Sequence, residues 1–262
     1  MLAQLMGLSF LTPNRNDIGG QMLANITTEF NSGWMHGDIK GAFLSDTDDT
    51  NITFSNLSTN GDFGQSSDLA SWTAYNATLT HQTDAIRVAD NGDYSKAYQS
   101  FTTVSGRRYI ATVNCKTLSG SDAVLGVRAD NPGTNSWAPV ATRLQESTTG
   151  LKDMVFTASG TTTYIELGST GGGYAEYQNV RIDEVKVEDR SVNNNPLEVF
   201  GTITKSAVAT GADLVAYSGW SASNYLLQPP NISLSMNSTD FVTIMCWMKQ
   251  ASHNSTLQIM FA

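Results

Sequence analysis

Apolar and polar residues alternate in short bursts through the middle of this chain, and turn-forming clusters separate the bursts. In Arg108-Tyr109-Ile110-Ala111-Thr112-Val113-Asn114-Cys115, the residues Tyr109, Ala111, Val113 and Cys115 share one face of an extended segment. Successive strand side chains point to opposite sides, so this period predicts a half-buried strand. The same reading gives strands over 71–80, 84–89, 97–104, 108–116, 122–128, 137–144, 153–158, 162–167 and 179–188. Asp90-Asn91-Gly92-Asp93, Ser119-Gly120-Ser121, Asn131-Pro132-Gly133 and Gly171-Gly172-Gly173 supply the turns. Short strands at regular spacing argue for an all-β sandwich over 55–190, not parallel βαβ units, and their number suits a jelly roll.

The closing segment carries a parity switch. Val180 and Ile182 share one side, while Val185 and Val187 share the other. Two accounts fit. A one-residue bulge between Ile182 and Val185 would return both pairs to the core and reorient Asp183 and Glu184. Alternatively, one strand ends there and another begins.

The flanks read differently. Residues 1–54 form a short mixed segment. In it, 18–30 predicts a short helix with Met22, Leu23 and Ile26 on one face, and Ser45-Asp46-Thr47-Asp48-Asp49-Thr50 is an acidic linker or turn. Residues 191–262 open with Asn193-Asn194-Asn195-Pro196 as a linker, then give Phe200–Ile203, Leu214–Tyr217, Ser223–Leu226 and Asp240–Lys249 as β segments. The last is apolar on both parities and needs cover on both sides. So few strands cannot bury it, so this domain is expected to be cut short or completed by another chain.

Composition narrows the function classes. Charged residues make up 15% of the chain, against about 25% in an average domain. Ser, Thr, Asn and Gly take their place, as is common on extracellular and virion β proteins, and that is the expected location. The net charge of −9 and the pI near 4.7 disfavour nucleic acid as a partner. No apolar run approaches the ~20 residues of a membrane span, so no membrane insertion is expected. Met1 to Leu11 lacks the basic start and small-residue cleavage site of a signal peptide. Cys115 and Cys246 lie too far apart to suggest a disulfide framework, and Cys115 reads as a buried, inert thiol. His36, His81 and His253 are scattered. Asp183-Glu184 and Glu188-Asp189 are adjacent pairs, whose side chains diverge on a strand and make no acid/base dyad. No enzyme activity is expected.

Four motifs then share one resemblance. Asn60-Gly61-Asp62-Phe63 with Trp72, Tyr98-Gln99-Ser100-Phe101, Gly106-Arg107-Arg108-Tyr109 and Ile182-Asp183-Glu184-Val185 resemble the carbohydrate-binding modules that open with Asn-Gly-Asp/Asn-Phe-Glu. The resemblance covers roughly 57–188 and implies a jelly roll whose first and last strands lie side by side. It also implies a structural Ca²⁺ between the opening motif and the closing Asp, held by Asn60, Asp62 and Asp183. Hard cations take about six to eight oxygens, and Gly64 stands where the family has Glu, which removes one carboxylate. The other account has Asp62 capping a turn and Asp183 on a solvated bulge.

A sugar site is implied as well. Sugars lay C–H faces on aromatic rings and pair their hydroxyls with fixed polar groups. In 137–144 the buried parity is Ala138, Val140 and Leu144, which turns Trp137 outward or onto a loop. Tyr94, Tyr174 and Tyr177 fall in Gly- or Asp-rich loops, and Tyr98, Gln99 and Arg128 add contacts. Trp72, Tyr109 and Trp247 are assigned to cores.

Asp240-Phe241-Val242-Thr243-Ile244-Met245-Cys246-Trp247-Met248-Lys249 resembles a strand of laminin-G-like, concanavalin-type lectin domains, so 191–262 is expected to be an incomplete lectin-like β-sandwich. Together with residues 37–48, the arrangement resembles tail or fibre proteins of marine phages. That implies non-catalytic adhesion to host glycans or polysaccharides, contacts with other virion proteins, and a homo-oligomer. A structural spacer or docking sandwich without a sugar ligand is a reading of another class. An accessory module of a secreted polysaccharide-degrading enzyme is a third.

Overall fold

Ten strands between Thr73 and Glu184 form two antiparallel five-stranded sheets with their apolar rows facing each other, a jelly-roll β-sandwich. They are β1 (Thr73–Tyr75), β2 (Ala77–Gln82), β3 (Ala85–Asp90), β4 (Lys96–Thr102), β5 (Arg108–Ser119), β6 (Asp122–Arg128), β7 (Arg143–Glu146), β8 (Gly150–Thr157), β9 (Thr162–Thr170) and β10 (Tyr174–Glu184). The first sheet runs β7-β6-β9-β4-β1 and the second β8-β5-β10-β3-β2. The computed structural model describes residues 2–3, 9–12, 24–28, 31–35, 38–43, 47–210, 212, 215–229, 234 and 243–245. The chain divides into two units, Ser55–Val185 and a second made of Met1–Phe54 with Lys186–Ala262.

Alternation builds the interior. Ala97 and Phe101 on β4, Ala123, Leu125 and Val127 on β6, and Ile165 and Leu167 on β9 point inward from the first sheet. Tyr109, Ala111, Val113 and Cys115 on β5 meet them from the second, as their spacing requires. Each large apolar side chain so buried contributes roughly 1.5–3 kcal/mol before conformational entropy is counted. Burial also pushes the Cys115 thiol up to about 11, so it stays protonated. Trp72 and Tyr109 sit in this core, Trp72 tilted against Phe63 at 5.6 Å.

The opening segment does run beside the closing strand. Leu57 N donates to Ile182 O and Val180 N to Gly61 O, both at 2.8 Å, and the Asn56 carboxamide accepts from Ile182 N. Gly61 is required there, because a Cβ would collide with the Val180 carbonyl. This segment takes over where β3, which pairs only with Tyr174–Tyr177, leaves β10 uncovered.

Several expectations change. Segment 137–144 is not a strand: a loop leads through a short 3₁₀ turn, Val140–Thr142, into β7, and Val140 is 77% exposed. Segment 71–80 breaks at Asn76, whose φ of 47° turns the chain from the first sheet to the second. Of the two accounts of the parity switch, the strand end holds. β10 stops at Glu184, and Val187 bridges to Leu197 in the second unit. The register shifts lie instead in the β5–β10 ladder, between Thr112 and Asn114 and between Cys115 and Thr117.

The second unit has its own core of Phe43, Ile52, Val187, Leu197, Val199, Ile203, Val215 and Tyr217. Ile52–Thr53 pairs with Thr202–Ile203, so strands from either side of the sandwich in sequence share one sheet. The sequence pattern alone separates 1–54 from 191–262, whereas the contacts group Met1–Phe54 with Lys186–Ala262. The linker expected at 193–196 is part of a knot around the buried Asp189 carboxylate, which accepts from Ala42 N, Ser191 N and Asn195 N at 2.8 Å each. Within the helix expected over 18–30, Ala24–Thr28 is a strand paired with Asn31–Met35. Ile26-Thr27-Thr28 is a β-branched run, stiff at χ1 and better suited to a strand. Thr243–Met245 is a strand paired with Ser9–Leu11, and Cys246 and Trp247 lie outside the described residues.

Candidate functional site

The outward positions of β4, β6 and β9 form a second surface on the first sheet. Register sets Lys96 opposite Gly168, which lies opposite Val124; Tyr98 lies opposite Glu166, which lies opposite Gly126; and Tyr164 lies between Ser100 and Arg128. Gly126 and Gly168 leave a shallow seat on neighbouring strands. The loop between β6 and β7 lies across it. A Cβ at Gly126 would come within 3.0 Å of Ala138 Cβ, and one at Gly168 would collide with the Trp137 ring. Gly133 of the same loop lies against Tyr98, where an added Cβ would be 2.9 Å from the phenol oxygen.

Buried charge holds the loop down. The Lys96 and Glu166 side chains are 0% exposed and that of Arg128 is 8% exposed. Glu166 Oε1 pairs with Lys96 Nζ at 3.5 Å and Arg128 Nη1 at 3.3 Å, while its Oε2 accepts Ala138 N–H at 3.0 Å. Lys96 Nζ donates to Ser136 O, and Arg128 Nη1 reaches Ser136 O at 3.4 Å and Ser136 Oγ at 3.3 Å. Arg128 also pairs with Asp130, so two cations meet two carboxylates. A buried carboxylate stripped of such partners costs several kcal/mol. Burial lowers the Lys96 pKa, and Glu166 partly opposes that shift. The hydrogen bond to Asp130 leads in raising that of Arg128.

Aromatic rings surround the cluster. The Lys96 ammonium lies 5.1 Å from the Trp137 ring centroid and 5.4 Å from that of Tyr75, within cation–π range. Tyr94, held at φ 62°, stands 5.9 Å from Trp137, and Tyr98 meets Tyr164 edge-on at 6.4 Å. All five rings are half-buried, so each keeps some surface open.

Trp137, Tyr94, Tyr98 and Arg128 are thus brought to one face. The other expected sugar contacts are not. Tyr177 is fully buried in β10, and its hydroxyl crosses the core to accept from Val124 N at 2.9 Å and donate to Gly168 O. Gln99 is buried, its carboxamide tied to Thr59 N and O and to Ser71 O. Tyr174 belongs to the second sheet, under the Arg87 guanidinium at 4.0 Å. Sequence reading missed Lys96, Glu166, Tyr75, Tyr164 and the two seating glycines. The available signal was a single charge in Ile165-Glu166-Leu167-Gly168, an otherwise apolar run.

The three residues that the resemblance implies for calcium differ in their surroundings. The Asn60 side-chain amide donates to Ser71 Oγ at 2.8 Å, and its main-chain carbonyl accepts from Trp72 Nε1 at 3.5 Å. Asp62 is exposed, while Asp183 is buried opposite Ile110, with Oδ1 accepting Glu184 N–H. Among the described residues, no three acidic, histidine or cysteine side chains gather. Also among them, no helix is long and apolar enough to cross a membrane.

No protein-family profile matches the chain, and no curated protein does. Solved structures give similarities at low identity. The CBM22-1 xylan-binding domain of Paenibacillus barcinonensis Xyn10C is 16% identical, with 51% of this chain and 97% of that chain covered and a TM-score of 0.39. A CBM4 structure is 10% identical over 46% of this chain and 83% of that one, with a TM-score of 0.34. Bacteriophage CBA120 tailspike protein 4, in its enzymatically active domain, is 15% identical over 50% of this chain, with a TM-score of 0.37, and this chain spans 21% of its length. None of these similarities assigns a ligand.

Proposed function

We propose that the Ser55–Val185 sandwich is a non-catalytic glycan-binding module, with Trp137 as its stacking ring. The observation that carries this reading is the way Trp137 is held. Its ring rests on Gly168, is flanked by Tyr94 and Lys96, and remains half-exposed. A ring fixed before the ligand arrives loses little freedom on binding. Tyr98 on the same face supplies further ring surface. The wider setting rests on sequence resemblance: a phage tail or fibre protein that binds host surface glycans, in a virion or outside the cell, among other virion proteins and as a homo-oligomer. Linked copies would raise the effective strength of a weak single site.

The test is a glycan-array screen of the full chain, followed by titration of any hit against wild type, Trp137→Ala and Tyr174→Ala, with Ca²⁺ and with a chelator. Trp137→Ala is expected to weaken binding by about tenfold, ~1.4 kcal/mol, and Tyr174→Ala to leave it unchanged. Equal binding by wild type and Trp137→Ala would sink this assignment. The chelator arm shows whether calcium contributes.

One observation favours the second reading, a structural spacer or docking sandwich of a virion. The loop already covers much of the outer face where a sugar could lie. A folded chain that binds no glycan on the array would favour that role.

A further inference from the structure

The buried charges converge on one short stretch of chain. Ser136 and Ala138, the two neighbours of Trp137, are both fastened to the sheet. Lys96 and Arg128 donate to Ser136, and Glu166 accepts from Ala138 N–H. Glu166 also pairs with both cations, which ties the two fastenings together. The other hydrogen bonds of residues 131–136 are local turns, such as Gly133 N to Asn131 Oδ1 at 2.9 Å and Ser136 N to Thr134 O at 2.8 Å.

We propose that Lys96, Arg128 and Glu166 are positioning residues for Trp137: a buried ionic clamp that fixes the main chain on both sides of the ring and so sets the face it presents. The inference rests on the glycan-binding reading for its purpose, but the clamp can be tested without any sugar. Burying three ionisable side chains on the outer face of a sheet is costly unless each is paired. Here each cation contacts both Glu166 and Ser136. The seat is specific too: Gly126 admits Ala138, and Gly168 admits the ring.

Hydrogen exchange on the full chain reads the clamp directly. The double variant K96M/E166L removes one cation and the carboxylate together, and Arg128 keeps Asp130. Exchange of the Ala138 amide is expected to rise at least tenfold, while the amides of Ile165 and Leu167 stay protected. Gly126→Ala is the second variant: its Cβ would lie 3.0 Å from both Ala138 Cβ and Glu166 Oε2, so it crowds that fastening without removing a charged group, and it should give the same local rise. Gly168→Ala separates ring from clamp: it should shift the Trp137 indole resonance and leave the Ala138 amide protected. An Ala138 amide as protected in either folded clamp variant as in wild type overturns the proposal, and so does loss of protection across the whole sandwich in Gly126→Ala. Glycan titration of the same proteins is a separate readout. Local loosening without loss of affinity would keep the clamp and reject Trp137 as the sugar contact.

Discussion

The two faces of the first sheet are filled by different means. Its inner face is a run of Ala97, Phe101, Leu125, Val127, Ile165 and Leu167, closed by the opposing sheet. Its outer face carries Lys96, Glu166 and Arg128 and is partly closed by the chain's own loop. The inner contacts are non-directional. The outer ones need each donor matched to an acceptor, so they fix one loop geometry and fail if a partner is lost.

Removing one tryptophan from each face sets the largest contrast. Trp72 lies in the interior at 5% exposure. Trp72→Ala should destabilise the sandwich by about 4 kcal/mol through lost burial and the cavity left behind. Trp137→Ala should cost only roughly 1–2 kcal/mol, because part of that ring already faces solvent. Chemical denaturation of the two proteins checks both values. Equal losses would mean that Trp137 is core in all but position, and the comparison of faces would collapse.

Much of the inner face was legible in the sequence, and little of the outer one. Period-two alternation in 108–115 places Tyr109, Ala111, Val113 and Cys115 inward, where they are found. The opening and closing motifs do lie together, because Gly61 has no Cβ to collide with the Val180 carbonyl and the main chains can pair. Ala138, Val140 and Leu144 also share a parity, yet Trp137 to Thr142 is a loop ending in a 3₁₀ turn. Pro139 cannot donate to a ladder, and the seat made by Gly126 and Gly168 comes from strands remote in sequence. Tyr177 looked like a loop residue because Gly171-Gly172-Gly173 precedes it, but β10 has already begun at Tyr174. The Lys96–Glu166 pair was invisible for a simpler reason: a charge in a strand gives no sign of which distant charge it meets.

Tyr177 joins the two modes, since it is apolar filling with one polar tip. Its ring belongs to the core, and its hydroxyl holds the main chain of β6 and β9 from the far sheet. Tyr177→Phe keeps the ring and leaves Val124 N–H buried without that acceptor. The expected loss is about 2 kcal/mol, between those of the two tryptophan variants, again measured by denaturant midpoint. A loss below roughly 0.5 kcal/mol, within the range of ordinary surface substitutions, would show that this N–H finds another partner and that directional contacts inside the core matter less than the comparison holds.

The smallest effect separates apolar from polar fastening by pH, because an apolar interior has few groups to titrate in acid. Asp90 anchors the turn that presents Tyr94. Its Oδ1 accepts from Ser95 Oγ at 2.6 Å and Gly92 N at 3.0 Å, and its Oδ2 accepts from Gly172 N at 2.7 Å. Burial works to raise its pKa, but these hydrogen bonds outweigh that and hold it below the ordinary 3.8. A carboxyl whose folded pKa is depressed binds protons more weakly in the folded state. Its stabilisation is therefore complete above the unfolded value and fades as pH falls through the folded one. Asp90→Ala should cost about 1 kcal/mol at pH 7, and the gap between variant and wild type should narrow once pH drops below about 4. Denaturation at pH 7, 4 and 3 gives the three points. A gap that stays constant down to pH 3 would mean that Asp90 contributes shape and not charge, and that the turn beneath Tyr94 is held as the interior is, by packing.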